Sequence, residues 1–278
     1  MNASPVTPVV AGVSGSPASR RAVEAAAREA AAGGHPLRLV HAFSWVPDLP
    51  AHPGTGGDLL RQARAIAGRV APQLRVTTEL LEGDPLTGLL RLSRRAALTV
   101  VGDGDLNDHV CLPRDATAVQ LAARAFGTVL VTRAAPPPPG PVLLGVNGSA
   151  VPDSVLGLAF DEAARRHTGL LVVHVGEAAD PVRPLDEVIA SRAAGHGVAA
   201  EFRILRGDPT AVLRQESQDA SLIIVGARGD LPYHGLLGSV TQTLLHHGRG
   251  PIVVVRRRTG PPAGRDHTAR SVLGGAGT

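Results

Sequence analysis

The sequence predicts an α/β protein built from two tandem units, each a parallel sheet with helices on both faces. Short apolar, β-branched runs alternate with helical stretches along the whole chain, the pattern of a parallel sheet covered on both sides. A set of short motifs occurs twice in the same order. Between the two sets lies Ala134-Ala135-Pro136-Pro137-Pro138-Pro139-Gly140, and consecutive prolines favour stiff polyproline II over any packed element.

The elements follow in order. Pro8–Val13 is apolar and β-branched and reads as a buried strand. Pro17–Ala32 is alanine-rich and helical, with Ser16 placed to cap it. Leu37–Phe43 is a second strand. Asp58–Val70 is a helix, with Leu59, Leu60, Ala63, Ile66, Ala67 and Val70 at helical spacing. Leu74–Leu80 is a third strand, and Pro85–Arg95 a helix opened by proline. Ala97–Val101, Ala116–Phe126 and Thr128–Thr132 complete the unit as strand, helix and strand. The second half repeats the series. Gly12-Val13-Ser14-Gly15-Ser16 returns as Gly145-Val146-Asn147-Gly148-Ser149, and Leu39-Val40-His41 as Val172-Val173-His174. Gly83-Asp84-Pro85 returns as Gly207-Asp208-Pro209, and Thr99-Val100-Val101-Gly102 as Ile223-Ile224-Val225-Gly226. Val129–Arg133 returns as Ile252–Arg256. The expected division is a first domain over residues 1–136, a second over 141–258, and a flexible tail rich in Gly, Pro and Arg over 259–278.

Composition narrows the function classes. At 278 residues with 44% hydrophobic and 2% aromatic residues, the cores are built from Ala, Val and Leu. A single cysteine, Cys111, excludes an internal disulfide and suits a reducing compartment. No apolar run reaches transmembrane length, and the start MNASPVTPVV has no basic segment before its apolar residues. A cytoplasmic protein with no membrane partner is the expectation. The net charge is +4, and every one of the 28 basic residues is arginine. The arginines are interleaved with acids and lack stacking aromatics, which argues against nucleic acid.

The stretch with most to say about chemistry is residues 226–242, GARGDLPYHGLLGSVTQ, directly after the apolar run Ser221–Val225. A strand runs into a glycine-punctuated loop that ends at a helix start. Glycines admit backbone N–H groups close to a ligand, and a helix N-terminus adds unpaired donors and positive partial charge. Together they suit a phosphate. The stretch resembles the nucleotide-binding loop of the universal stress protein family, G-x-x-G, nine residues, G-[ST]. Gly226, Gly229, Gly238 and Ser239 match; the intervening loop here has eight residues. The resemblance covers nearly all of residues 6–256 as a tandem pair. It implies two doubly wound five-stranded sheets of strand order 3-2-1-4-5, with ligands at the switch point between strands 1 and 4. It also implies an ATP or related adenine-nucleotide site in the second domain formed by Asn147, Val175, Gly226, Arg228, Gly229, Gly238, Ser239 and Val240. Asn147 stands where ATP-binding members carry an aspartate; it keeps an acceptor oxygen and loses the charge. Val175 matches the backbone position that touches adenine, and Arg228 is placed to pair with phosphate or simply to face solvent.

The first domain departs from the pattern. Gly102-Asp103-Gly104-Asp105 puts carboxylates where phosphate would lie, Ser14 replaces the aspartate, and Pro113-Arg114-Asp115-Ala116 replaces the Gly-Ser opening. Its ligand loop reads as degenerate. His41 and His174 read as hydrogen-bonded strand-end histidines, and His246-His247 as cations suited to a helix C-terminus. There is no Walker loop in a chain without lysine, no G-x-S-x-G elbow and no H-E-x-x-H. No nucleophile–base pair supports committed catalysis, so no enzyme is expected beyond slow hydrolysis of a bound nucleotide. Two readings stand: a stress-response regulatory module binding one adenine nucleotide in its second half, and a scaffold working through dimerisation and partner contacts. The resemblance further implies pairing through the fifth strands, as an intramolecular pseudo-dimer or as a homodimer.

Overall fold

The structure, a computed structural model, describes residues 6–43, 54–104, 116–147, 151–176, 183–227 and 236–256. The first half runs β1 (Val9–Gly12), α1 (Pro17–Ala32), β2 (Leu37–Phe43), α2 (Gly54–Val70), β3 (Val76–Glu82), α3 (Pro85–Ser93), β4 (Leu98–Gly102), α4 (Thr117–Arg124), β5 (Val129–Thr132). The second runs β6 (Val142–Val146), α5 (Asp153–Arg165), β7 (Leu170–Val175), α6 (Arg183–His196), β8 (Ala200–Leu205), α7 (Pro209–Glu216), β9 (Leu222–Gly226), α8 (Ser239–His247), β10 (Ile252–Val255). Each half has strand order 3-2-1-4-5, with all its strands parallel.

The two five-stranded sets are not separate sheets. They join into one ten-stranded sheet through an antiparallel pair, β5 with β10, in which Leu130 faces Val253. Both fifth strands would otherwise present open apolar edges, and pairing them satisfies both rows of backbone groups. The outermost strands, β3 and β8, carry Glu79 and Glu82, and Glu201 and Arg203. Charges there suit strands that remain unpaired.

Local chemistry explains the elements. Ser16 caps α1, its hydroxyl accepting from Ser19 N at 3.0 Å. The repeated Gly-Asp-Pro has one cause in both halves. Gly83 (φ 103°) and Gly207 (φ 129°) adopt backbone that side chains disfavour. The aspartates cap the next helix, accepting from Thr87 N at 2.7 Å and Ala211 N at 2.8 Å. The Thr87 backbone N–H holds the Asp84 carboxyl below its usual range. Several bounds differ from the sequence-based ones. β3 begins at Val76 because residues 71–74 form a turn closed by Leu74 N to Ala71 O at 3.0 Å. α4 stops at Arg124 because Ala125 (ψ 153°) leaves helical backbone.

Alternate residues of each strand feed two cores, one on each face. Under α1, α2, α5 and α6 lie Val9, Leu39, Leu144, Phe160 and Ile224; under α3, α4, α7 and α8 lie Val10, Leu121, Leu143, Ile223 and Leu244. Both cores run across the seam, through Leu130 and Val253 on one face and Val129, Val131, Ile252 and Val254 on the other. The α1 face that meets the sheet is Ala22, Ala26, Ala27 and Ala30, all fully buried. Small side chains there bring the helix close to the sheet, which compensates for the scarcity of aromatics.

Polar groups lock the seam on both faces. On one, Glu29 of α1 meets Glu162 of α5, the equivalent residue of the other repeat. Arg165 reaches both carboxylates, at 3.2 Å to Glu29, and Arg166 reaches Glu162 at 3.2 Å. Burial, then the neighbouring Glu162 carboxylate, raises the Glu29 pKa to about 7. On the other face, Arg133 and Arg256, each following the last strand of its half, cross the seam. Arg133 donates to Leu245 O at 2.7 Å and Leu244 O at 3.2 Å, and Arg256 to Ala122 O at 2.9 Å and to Ala123 O.

Candidate functional site

The chain order reverses direction between β1 and β4 and between β6 and β9, so each half has a switch-point crevice at the carboxyl ends of those strands. The second half's register brings its elements together there. Val146 pairs with His174, which places Asn147 next to Val175, the last residue of β7. β6 also pairs with β9 at Leu144 and Ile224, so two residues further on Val146 neighbours Gly226. Asn147 and Gly226 are exposed and Val175 is half-buried.

The glycine loop is closed at its base. Ala227 N donates to Val255 O at 3.0 Å, and Gly238 N donates back to Ala227 O at 3.0 Å. Thr241, buried in the first turn of α8, donates its hydroxyl to Gly226 O at 2.6 Å. Gly238 is the N-cap residue of α8 and, having no side chain, caps nothing. Ser239 and Val240 open the helix, and first-turn N–H groups have no intrahelical partner. By register Asn147, Val175 and Gly226 thus lie at the carboxyl ends of neighbouring strands, and the Gly238–Ala227 bond brings the start of α8, Ser239 and Val240, to the end of β9. Arg228 and Gly229 lie outside the described residues, as do Cys111, Asp105, Asp108, Asp115 and the expected tail 259–278.

The first half has a cleft of about 500 Å³ in the corresponding place. Val13, Val40, Leu81, Leu89 and Val101 make its apolar wall, and Ser14, Asp103 and Thr117 its polar one. The Ser14 hydroxyl donates to Ser16 Oγ at 3.1 Å. Gly102 admits no side chain, because a Cβ would lie 2.7 Å from the Ala18 carbonyl carbon. Asp103, one of the carboxylates that the sequence places where phosphate would lie, has a cationic partner. Arg133 lies 3.3 Å away across a buried pair, so the carboxylate is already compensated from within. Burial lowers the Arg133 pKa and the Asp103 charge raises it.

The strand-end histidines each donate locally: His41 Nδ1 to Val13 O at 2.7 Å and His174 Nδ1 to Val146 O at 3.3 Å. Sequence reasoning missed Arg133, Arg256, Glu29 and Glu162 as bridging groups. The available signal was positional: both pairs occupy equivalent places in the two repeats. No helix among the described residues is long and apolar enough to cross a membrane.

Comparisons with known proteins agree with this architecture. The model of the Universal stress protein family matches twice, at residues 5–133 and 139–256. A universal stress protein of Mycobacterium tuberculosis is 31% identical over 290 residues, covering 89% of this chain and 96% of the relative. One from Mycolicibacterium smegmatis is 30% identical, covering 90% and 97%. Among solved structures, a universal stress protein from Archaeoglobus fulgidus shares the fold with a TM-score of 0.66 at 16% identity, covering 90% of this chain and 96% of that one. With the family model matched twice over a tandem pair of 3-2-1-4-5 sheets, this chain belongs to the universal stress protein family.

Proposed function

We propose that the chain is a cytoplasmic stress-response regulatory module that binds one ATP, or a related adenine nucleotide, in its second half. The observation that carries this reading is the open N-terminus of α8. Gly238 presents backbone without a side-chain cap, and the hydrogen bond from Gly238 to Ala227 seats that helix end on β9 at the switch point. The first-turn donors at Ser239 and Val240 are assigned to phosphate. Gly226, Gly229 and Arg228 would frame the phosphate chain, Asn147 would meet a ribose hydroxyl, and the Val175 backbone the adenine edge. Residues 1–136 serve as the supporting domain and 141–258 as the binding domain, joined as an intramolecular pseudo-dimer through β5 and β10.

Calorimetric titration of the full chain with ATP tests this. One site per chain is expected. Gly238→Asp, which blocks the approach of backbone donors and adds repulsion, is expected to abolish binding. Unchanged affinity in that variant removes the site assignment.

A second reading, a scaffold that binds no nucleotide, is favoured by Asn147 in place of an aspartate and by the shortened, eight-residue loop between Gly229 and Gly238. Absence of ATP binding by the parent chain selects it. In this fold the two fifth strands are paired with each other, so a homodimer of the full chain requires a different surface.

A further inference from the structure

We infer that Arg133, a residue of the first half, is a positioning residue for the N-terminal donors of helix α8, acting through that helix. This rests on the second-half site proposed above.

The geometry follows from the antiparallel seam. Because β5 and β10 run in opposite directions, the carboxyl end of β5 lies beside the amino ends of the second half's strands. α8 begins at the carboxyl end of β9 and returns antiparallel to the strands, so its last turn arrives where β5 ends. Arg133 is the residue directly after β5. Its guanidinium donates to Leu245 O at 2.7 Å, Leu244 O at 3.2 Å and Gly250 O at 3.4 Å, and is held from behind by Asp103 at 3.3 Å. The side chain is only 8% exposed. A cation on the last carbonyls of a helix is favoured by its dipole, and charge-assisted bonds are the stronger ones.

α8 has nine residues, so it spans roughly 13 Å. A helix this short depends on tertiary anchors. Leu244 and Leu245 bury its apolar face in the core, and polar bonds fix the two ends. At the start, Gly238 N binds Ala227 O and Thr241 binds Gly226 O; at the finish, Arg133 holds the carbonyls. Releasing the far end lets the helix tilt about the near one. The near end carries the donors assigned to phosphate.

Arg256 provides an internal control. It anchors the last turn of α4 from the second half by the same kind of bonds, to Ala122 O and Ala123 O. The N-terminus of α4 faces the first cleft, not the second-half loop. A purely structural role for these arginines predicts that removing either has the same consequence for nucleotide.

The test compares Arg133→Met, Arg133→Lys and Arg256→Met in the full chain. ATP affinity is read by calorimetry and amide exchange of residues 239–247 by mass spectrometry. Arg133→Met is expected to weaken ATP binding by about ten-fold and to speed α8 exchange by a similar factor. Arg256→Met, which strands no buried carboxylate, is expected to lower the Tm by less than Arg133→Met does and to change ATP affinity by less than about two-fold. Arg133→Lys, with a charge that reaches one carbonyl only, should fall between, and it serves as the folded variant if the methionine chain does not fold. Equal effects of Arg133 and Arg256 variants on affinity and on α8 exchange overturn the inference, as does parent-like binding in a folded Arg133→Met. If the parent binds no adenine nucleotide, the proposed function fails. The inference then fails with it, whereas parent-like ATP binding in a folded Arg133→Met removes the inference alone and leaves the proposed function standing.

Discussion

Replacing Glu29 by glutamine converts the seam's carboxylate pair into a measurable pH effect. In the folded chain the Glu29 side chain is 16% exposed, close to the almost fully buried Glu162, and its pKa stands at about 7 against a reference of 4.5. Burial is the larger cause and the Glu162 charge the second; Arg165 and Arg166 pull the other way. A folded pKa above the unfolded one means that the folded chain holds the proton more tightly. The associated stability is fully present below pH 4.5 and is lost as pH rises through about 7. One proton corresponds to about 1.4 kcal/mol per pH unit, so the loss across that interval is on the order of 3 kcal/mol. Glutamine keeps the shape, donates to Glu162 and never ionises. Urea unfolding of parent and Glu29→Gln, each at pH 5 and pH 8, provides the comparison. The two are expected to be close at pH 5, with the variant more stable at pH 8 by a large part of that amount. Parallel pH dependences for the two proteins would falsify the raised Glu29 pKa as the cause. Glu162→Gln is a different perturbation: it removes the partner of Arg165 and Arg166 and should destabilise at both pH values.

Other consequences are open to direct measurement. Leu130→Ala, at the centre of the seam opposite Val253, should cost 2–5 kcal/mol and still leave a single unfolding transition, because both cores cross the seam; two separated calorimetric peaks would contradict the continuous core. Asp208→Ala removes the cap of α7 and should cost about 1 kcal/mol by urea denaturation, with no change expected if the Asp208–Ala211 bond contributes nothing. The isolated first half, residues 1–136, exposes the β5 edge and the carbonyls that Arg256 holds. Sedimentation should show it self-associating, and a stable monomer at high concentration would tell against the edge-pairing argument.

How much was legible depended on the range of the interactions. Gly83-Asp84-Pro85 and its copy could be read because a left-handed glycine, an aspartate cap and a first-turn proline act within a few residues of chain. The alternation of strands and helices gave the parallel sheet for the same reason. Gly238 and Ser239 were legible as a helix start after a glycine loop. Two kinds of feature were not. The bounds of β3 and α4 were set by single backbone turns at residues 71–74 and at Ala125, which apolar patterning does not register. The partners of Glu29 and Arg256, and the α8 carbonyls that Arg133 holds, depended on the antiparallel joining of β5 to β10, which brings together side chains and backbone from different halves. Asp103 therefore read as one of the loop carboxylates standing where phosphate would lie, although β4 and β5 pair Gly102 with Thr132 and so deliver Arg133 to it.

The antiparallel seam also bears on how the two copies can drift apart. A twofold contact between identical chains shows every substitution twice, once on each side of the axis. Joined in one polypeptide, the same contact permits unlike neighbours. Arg133 meets Asp103, whereas the residue that follows β9 in the corresponding place for Arg256 is Ala227, which has no carboxylate to offer. A carboxylate on one side only is an arrangement that no symmetric pair of single-unit chains can hold. Carried in one chain, the contact between the two halves therefore has a sense of direction.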